Sequence, residues 1–168
     1  MTIKIGDHLP EGNLSEFIES ATEGCALGPN TFKVEELVKG KKIAIFGLPG
    51  AFTPTCSAKH VPGYVQHAAD FKAAGVDEIW CISVNDAFVM GAWGREQEAT
   101  GVVRMMADGS ATYSKALGLD ADFSHFGMGT RSQRYSMLVE DGVVTQLNVE
   151  QGGKFDVSNA ETLLAQLA

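Results

Sequence analysis

Two apolar runs separated by an amphipathic segment most constrain the fold of this chain. Ile43–Leu48 and Glu78–Val84 are typical of buried strands. Between them, apolar residues recur at helical spacing from Thr55 to Ala74, and Gly75 is placed to end that helix. Pro62 lies inside it and is expected to kink or restart it. A strand, helix, strand order predicts a right-handed crossover and a parallel core sheet.

The C-terminal part predicts antiparallel strands. Arg131–Glu140 alternates like one strand, and Asp141-Gly142 before Val143–Val149 is a strong two-residue hairpin signal. The glycine-rich segment 120–130 before them is expected to be irregular. Ser158–Glu161 carries a capping-box pattern, which predicts a last helix. The pattern therefore favours an α/β fold with parallel strands first and antiparallel strands later.

The N-terminal part predicts an extension of that core. Leu9–Asn30 is rich in turn residues and is expected to form a peripheral hairpin, with Asn13–Glu19 as its strand-like piece. Thr31–Gly40 is expected to form a short helix or turn. Three further elements are predicted: a helix from about Ala87 to Thr100 capped by Asn85-Asp86, a strand at Val102–Met106 and a helix at Ser110–Leu117.

Composition indicates one globular domain, residues 1–168, because 45% of the residues are hydrophobic and 20% are charged. The formal charge of −8, without a lysine or arginine cluster, argues against nucleic acid as a partner. Met1–Asp7 lacks the apolar core of a signal peptide, and no apolar segment approaches the roughly 20 residues that span a membrane. We therefore expect a soluble cytoplasmic protein with no membrane partner.

The three cysteines, Cys25, Cys56 and Cys81, do not predict a disulfide framework. Their number is odd, and the chain has neither a Cys-x-x-Cys motif nor a zinc-finger spacing, so a structural zinc site is also a poor interpretation. Thiol chemistry or inert burial remains for each of them.

The segment Pro49–Cys56 makes one of these thiols a candidate nucleophile. Two prolines and a glycine in eight positions predict a loop of fixed shape, and Cys56 then falls in the first turn of a helix. Unpaired backbone N–H groups and the helix dipole both favour a thiolate at that position. The alternative is a buried cysteine that only packs, which is the commoner situation in a core helix.

Pro49, Thr53 and Cys56 form a Pro-x-x-x-Thr-x-x-Cys pattern that resembles the peroxiredoxins, and the surrounding residues resemble their type II, or atypical "type five", subgroup. The resemblance implies a redoxin domain of the thioredoxin-like superfamily, with a mixed central sheet, helices on both faces and an N-terminal extension. It covers most of the chain, in four ordered blocks: 47–64, 81–90, 131–137 and 147–150.

This resemblance implies a thiol-dependent peroxidase for hydrogen peroxide and alkyl hydroperoxides, without a metal or cofactor. Cys56 would attack a peroxide oxygen and become a sulfenic acid. The hydroxyl of Thr53 would hold thiolate and peroxide in line, and Pro49 would shield the site from water. The motif of the family places the arginine that meets the developing negative charge at Arg134.

Two further side chains are secondary candidates. Arg131 is three residues from Arg134, so on one regular strand the two arginines would face opposite sides, and only one would reach the thiolate. His60 is four residues after Cys56 and shares its helical face, which raises a metal pair or a cysteine–histidine protease dyad. Packing or an interface is favoured for His60, because two ligands do not close a zinc site.

The route by which the oxidised cysteine is reduced is open. Some members of the subgroup carry a second cysteine near the C-terminus, but residues 150–168 contain none. Cys81 stands where plant-like members have their second cysteine, yet it lies in an apolar strand where packing is an equal interpretation. Cys25 is taken as incidental.

We expect glutathione and glutaredoxin as the reductant, with thioredoxin as the alternative donor, and a homodimer by resemblance. A competing hypothesis is a noncatalytic binding or holdase module with a thioredoxin fold, in which Cys56 is structural.

Overall fold

A seven-stranded sheet lies at the centre of the structure, a computed structural model that describes residues 1–20 and 24–167. Nine strands are present in this described part: β1 Asn13–Ile18, β2 Gly28–Lys33, β3 Lys42–Leu48, β4 Glu78–Ser83, β5 Arg104–Ala107, β6 Asp120–Asp122, β7 Thr130–Ser132, β8 Tyr135–Glu140 and β9 Val143–Val149. The large sheet has the order β2-β1-β5-β4-β3-β8-β9. The pairs β3–β4 and β4–β5 are parallel and the other pairs are antiparallel, which confirms a mixed sheet.

Helices cover both faces of this sheet, as predicted. Their bounds are α1 Val34–Leu37, a π-helical turn Cys56–His60, α2 Val61–Gln66, α3 Ala68–Ala73, α4 Ala87–Glu96, α5 Thr112–Leu117, a 3₁₀ turn Ser124–Phe126 and α6 Ala160–Ala165. Residues of α2, α3, α4 and α6 share one apolar cluster, whereas α1 and α5 contribute to the cluster on the opposite face. Within the described ranges, no helix is both long and apolar enough to cross a bilayer.

Strand β3 is buried on both of its faces. Phe46 and Leu48 belong to one apolar cluster, and Ile43 and Ile45 belong to the other. Alternate side chains of a strand point to opposite faces, so a strand covered on both sides needs an uninterrupted apolar sequence. This burial fixes the end of β3, and the loop that begins at Pro49 starts from that end.

The N-terminal hairpin follows the prediction, whereas the helix predicted over 55–74 is also interrupted at His67, between α2 and α3. Strands β1 and β2 pair at the edge of the large sheet, although residues 21–23 of the predicted hairpin lie outside the described residues. The helix after Thr53 changes from π to α geometry at Val61, with Pro62 in the first α turn. Gly75, at a φ of 94°, terminates α3.

Helix α4 ends earlier than the predicted Thr100. Asp86 caps its start, since its carboxylate accepts a hydrogen bond from the N–H of Val89 at 2.8 Å. At its end, Glu98 is left-handed, and the N–H of Ala99 returns to the carbonyl of Gly94 at 2.8 Å. This is a Schellman motif formed without the usual glycine, so the sequence carries no signal for it.

The prediction of one strand over Arg131–Glu140 is wrong. The segment forms β7 and β8, which are separated by Gln133 and Arg134. The expectation of an irregular segment 120–130 is wrong in part, because β6 and β7 pair as a separate two-stranded ribbon. The hairpin at Asp141-Gly142 is confirmed, with φ values of 47° and 81° that suit a tight two-residue turn.

The predicted capping box at Ser158 is also wrong. Asn159 caps α6, since its side chain accepts a hydrogen bond from the N–H of Thr162 at 2.8 Å. The hydroxyl of Ser158 instead donates to the carboxylate of Glu150 at 2.7 Å. Two neighbouring residues of capping type were available, and the contact with Glu150 at the end of β9 decided between them.

Candidate active site

The loop after β3 delivers Cys56 into the first turn of a helix, as predicted. Helical backbone begins at Pro54, and Cys56 opens the π-helical turn that closes with a bond from the N–H of Val61 to the Cys56 carbonyl. Asn85, which follows β4, anchors the loop, because its side chain accepts a hydrogen bond from the N–H of Ala51 at 2.9 Å. The cysteine side chain is therefore fixed at the junction of a braced loop and a helix start, where unpaired N–H groups favour negative charge.

Arg134 is the charged group in contact with Cys56. Its Nη2 donates to the cysteine Sγ at 3.2 Å, and Cys56 is fully buried. A guanidinium this close to a buried sulfur favours the thiolate by direct attraction. The sequence predicted this arginine through the resemblance, and the structure places it at the sulfur.

His60 fixes the other side of the Arg134 guanidinium. Arg134 Nη1 lies 2.8 Å from His60 Nδ1, and His60 Nε2 lies 3.0 Å from the carbonyl oxygen of Ser158. Arginine can only donate, so Nδ1 accepts, and Nε2 carries the proton that goes to Ser158. Burial, together with the charge of Arg134, lowers the pKa of His60 to about 3. His60 is therefore a neutral acceptor for the arginine.

The contacts of His60 argue against both a metal pair and a protease dyad with Cys56. Both ring nitrogens of His60 are engaged, and Nδ1 faces Arg134 rather than the sulfur. A protease dyad needs the histidine at the thiol, and a metal needs a free ring nitrogen. His60 packs among Phe46, Tyr64 and Phe155, which agrees with the packing interpretation, and it also orients Arg134.

Arg131 also reaches the active-site loop, contrary to the argument that it faces away from Arg134. Its Nη1 donates to the carbonyl of Pro49 at 3.3 Å, and its Nε donates to the carbonyl of Met128 at 3.0 Å. The two arginines do not lie on one regular strand, because Arg131 is in β7 and Arg134 lies between β7 and β8, so strand alternation does not set their directions. A Cβ at Gly50 would lie 2.6 Å from Arg131 Nη1, so this approach requires glycine there.

Thr53 and Pro49 belong to the loop that precedes Cys56, and Pro49 also lines a cavity. The Thr53 hydroxyl donates to the carbonyl of Gly50 at 2.7 Å, which leaves its oxygen lone pairs to accept a further hydrogen bond. The structure records no hydrogen bond between Thr53 and the Cys56 sulfur within residues 1–20 and 24–167. Pro49 and Arg134 line a cavity of about 490 Å³, together with Phe123 and Phe126.

Several residues that support the site were not found by sequence reasoning. Asn85 was noted only as a possible helix cap, yet it accepts from both Ala51 and the Ser83 hydroxyl. Trp93 is buried, and its indole N–H donates to the Ser57 hydroxyl at 3.0 Å. No spacing rule links these residues to Cys56, because the contacts come from the packing of distant elements.

The other two cysteines are free thiols in different surroundings. Cys81 is fully buried in β4, opposite Phe46 on one side and Met105 on the other. Burial raises the pKa of Cys81 well above its usual value; the charge of Cys56 adds to the rise and that of Arg134 opposes it. Cys25 is partly buried. Cys56 therefore contacts an arginine, whereas Cys81 lies in an apolar strand.

The fold and this site define a class of thiol-based redox proteins with a thioredoxin-like core. The sequence model of the Redoxin family matches residues 4–164. Peroxiredoxin-2B of Arabidopsis thaliana is 47% identical over 165 residues, which cover 98% of each chain. The chain belongs to the redoxin family as a peroxiredoxin of the thioredoxin-like superfamily, so it is a thiol peroxidase.

Two further comparisons extend this result. A crystal structure of reduced Prx3 from Vibrio vulnificus in complex with hydrogen peroxide superposes with a TM-score of 0.91, at 51% identity, over 99% of this chain and 100% of that chain. Peroxiredoxin-2E, chloroplastic, of Arabidopsis thaliana is 44% identical over 168 residues, which cover 99% of this chain and 70% of the relative. The predicted family and the thioredoxin-like fold are confirmed.

Proposed function

We propose that Cys56 is the peroxidatic residue and that it reduces hydrogen peroxide and alkyl hydroperoxides. The observation that carries this proposal is the 3.2 Å contact between Arg134 and the Cys56 sulfur in the first helical turn. The thiolate attacks one peroxide oxygen, a sulfur–oxygen bond forms and the oxygen–oxygen bond breaks. Hydroxide or alkoxide leaves and takes up a proton, and the oxidised sulfur is a sulfenic acid.

The surrounding residues divide the remaining tasks. Arg134 meets the charge that develops on the peroxide oxygens, and His60 holds its guanidinium in place. The Thr53 hydroxyl, which donates its proton to Gly50, accepts a hydrogen bond from the incoming peroxide, and Pro49 narrows access from the cavity. Arg131 braces the loop through the Pro49 carbonyl.

For the reductant, we propose glutathione with glutaredoxin. A glutathione thiol attacks the sulfenic sulfur, water leaves, and a mixed disulfide forms. A glutaredoxin thiolate then attacks the glutathione sulfur, which forms a glutaredoxin–glutathione disulfide and releases the Cys56 thiolate. The absence of cysteine from residues 150–168 and the burial of Cys81 support an external donor. Thioredoxin is the alternative donor for the same chemistry.

Donor dependence tests this proposal. Peroxide turnover is measured with glutathione plus glutaredoxin and, separately, with thioredoxin plus its reductase; activity with thioredoxin alone would overturn the preferred donor. Cys81→Ser is expected to keep full turnover with glutathione and glutaredoxin. A Cys56→Ser protein that still consumes peroxide would instead favour the noncatalytic binding module.

Three broader expectations stay predictions. The single domain 1–168 and the cytoplasmic location come from the sequence, whereas two relatives are named chloroplastic and one is named mitochondrial. We propose a homodimer, supported by Phe52 and Phe88, large apolar side chains that are 53% and 66% exposed. Sedimentation of the purified protein tests this last point, and a monomer at micromolar concentration would contradict it.

A further inference from the structure

Glu150 is a buried carboxylate that the peroxidase chemistry does not use. It directly follows β9 and is 7% exposed. Its oxygens accept hydrogen bonds from the N–H groups of Asp156, Val157 and Ser158 at 2.8–3.0 Å, and from the Ser158 hydroxyl at 2.7 Å. Burial would raise the pKa of Glu150, but these hydrogen bonds outweigh it and hold the pKa below its ordinary value. The carboxylate therefore folds the segment 151–158 around itself.

The end of that segment determines how His60 is oriented. The Ser158 carbonyl accepts from His60 Nε2 at 3.0 Å and from the Tyr64 hydroxyl at 3.0 Å. This contact keeps the proton on Nε2 and leaves Nδ1 as the acceptor that Arg134 needs. A shift of Ser158 would therefore alter the histidine that holds the arginine.

Two more contacts connect Glu150 to Arg134. The N–H of Glu150 donates to the carbonyl of Arg134 at 2.9 Å, which fixes the backbone between β7 and β8. Phe155 lies in the segment that Glu150 organises, and its ring centroid is 5.0 Å from that of His60. The guanidinium carbon of Arg134 lies over the Phe155 ring, 5.7 Å from its centroid. Arg134 is thus held at its backbone carbonyl by Glu150, at Nη1 by His60 and across one face of the guanidinium by Phe155.

We propose that Glu150 is a positioning residue for the peroxidase reaction, because it places Ser158 and Phe155 so that His60 and Arg134 meet the Cys56 sulfur in the reactive arrangement. This inference rests on the proposed role of Cys56. Glu150 lines the same cavity as Pro49 and Arg134, but its carboxylate is hydrogen-bonded to the segment 156–158, so its effect on the sulfur passes through the arginine. An arginine that is displaced by a fraction of an ångström loses much of its stabilisation of the developing charge.

The test measures the rate constant for oxidation of Cys56 by hydrogen peroxide, followed by stopped-flow tryptophan fluorescence. Glu150→Ala is expected to slow oxidation about tenfold or more. Glu150→Gln keeps an amide oxygen in place of the carboxylate oxygen that accepts from Val157 and Ser158, so it is expected to restore the rate to within about threefold of wild type. The matched control is Gln151→Ala, an exposed neighbour, which is expected to leave the rate unchanged.

A double-mutant cycle separates positioning from mere support of the fold. In an Arg134→Gln background, Glu150→Ala is expected to cause no further slowing, because the group through which it acts is gone. Equal slowing in both backgrounds, or a Glu150→Ala rate within about twofold of wild type, would overturn the inference. If Glu150→Ala does not fold, Glu150→Asp, which keeps the charge on a shorter side chain, replaces it in the same cycle.

The outcomes also distinguish this inference from the proposed function. If Cys56→Ser still consumes peroxide, the role of Cys56 fails. If Cys56→Ser is inactive and both Glu150 variants react at the wild-type rate, only the role of Glu150 fails.

Discussion

Two cysteines of this protein are equally buried but have opposite surroundings. Cys56 and Cys81 are both fully inaccessible and belong to the same apolar cluster. Cys56 lies at a loop–helix junction and receives a hydrogen bond from Arg134. Cys81 lies within a strand that is paired on both sides, and burial raises its pKa. Burial alone therefore does not distinguish the two thiols; the charged group in contact with the sulfur does.

The position of each cysteine in the fold explains this difference. A residue inside a central strand has its neighbours fixed by strand pairing and by the apolar layers above and below it. A residue just after a strand end can be met by side chains from other loops, and Arg134 comes from the gap between β7 and β8. The irregular segments of the molecule are thus what bring polar chemistry to one of two buried thiols.

Removal of the thiol gives the largest expected effect. Cys56→Ser is expected to lower peroxide consumption by on the order of a thousandfold or more, because a serine hydroxyl has no base beside it and His60 is bound to Arg134. The assay is peroxide loss with glutathione and glutaredoxin. Activity within tenfold of wild type would remove the distinction between the two cysteines.

Loss of the arginine is expected to have the next largest effect. Arg134→Gln should slow oxidation of Cys56 by about 100- to 1000-fold, since it removes the donor that meets the developing charge. The matched control is Arg95→Gln on α4, whose arginine pairs with Glu19 on the surface. Equal rates for the two variants would show that the arginine contact is not what distinguishes Cys56.

The threonine hydroxyl should contribute less. Thr53→Val keeps the shape of the side chain but removes the hydroxyl, and about a tenfold loss of the oxidation rate is expected, the equivalent of one well-placed hydrogen bond. Thr53→Ser keeps the hydroxyl and should recover most of the rate. A Thr53→Ser variant as slow as Thr53→Val would assign the effect to packing.

Low pH should destabilise the folded protein through His60, which lies in the site around Cys56. Its pKa is about 3 in the folded protein and about 6.5 when exposed, so the unfolded chain binds an extra proton between these values. Stability should therefore fall as pH decreases below about 6.5, by up to about 1.4 kcal/mol per pH unit. Urea unfolding between about pH 5 and pH 6.5 measures the slope, which His60→Asn should reduce and His125→Gln, at an exposed position, should not.

Substitution of Cys81 should affect the peroxide reaction least. Cys81→Ala is expected to leave the oxidation rate of Cys56 within about twofold of wild type. Cys81→Ser places a hydroxyl in an apolar layer and should lower the free energy of unfolding by about 1–3 kcal/mol without changing that rate. A large loss of turnover in both variants, with normal oxidation of Cys56, would make Cys81 the resolving thiol.

The sequence predicted those parts of the fold that depend on local patterns. The buried strands, the hairpin at Asp141-Gly142 and the cysteine in the first helical turn all follow from periodicity and turn chemistry. The break between β7 and β8 did not, because no glycine or proline marks Gln133 and Arg134, while the residues on their two sides pair with different strands. Pairing partners are a property of the whole fold.

The same division applies to the candidate site. Cys56, Pro49 and Arg134 were predicted from a motif and a resemblance, and the structure brings all three together. The contacts of Asn85 with Ala51 and of His60 with Ser158 join residues that are 34 and 98 positions apart. The contact of Glu150 with Ser158 is closer in sequence, but it forms only when the loop between them folds back. No local sequence pattern shows that Ser158 binds Glu150 instead of capping α6.

The comparison of the two cysteines is tested most directly by locating the sulfenic acid. The reduced protein is treated with one equivalent of hydrogen peroxide, the sulfenic acid is trapped with dimedone, and the modified peptide is identified by mass spectrometry. The account predicts the adduct on Cys56 and unmodified Cys81. An adduct on Cys81, or on neither cysteine while peroxide is consumed, would contradict it.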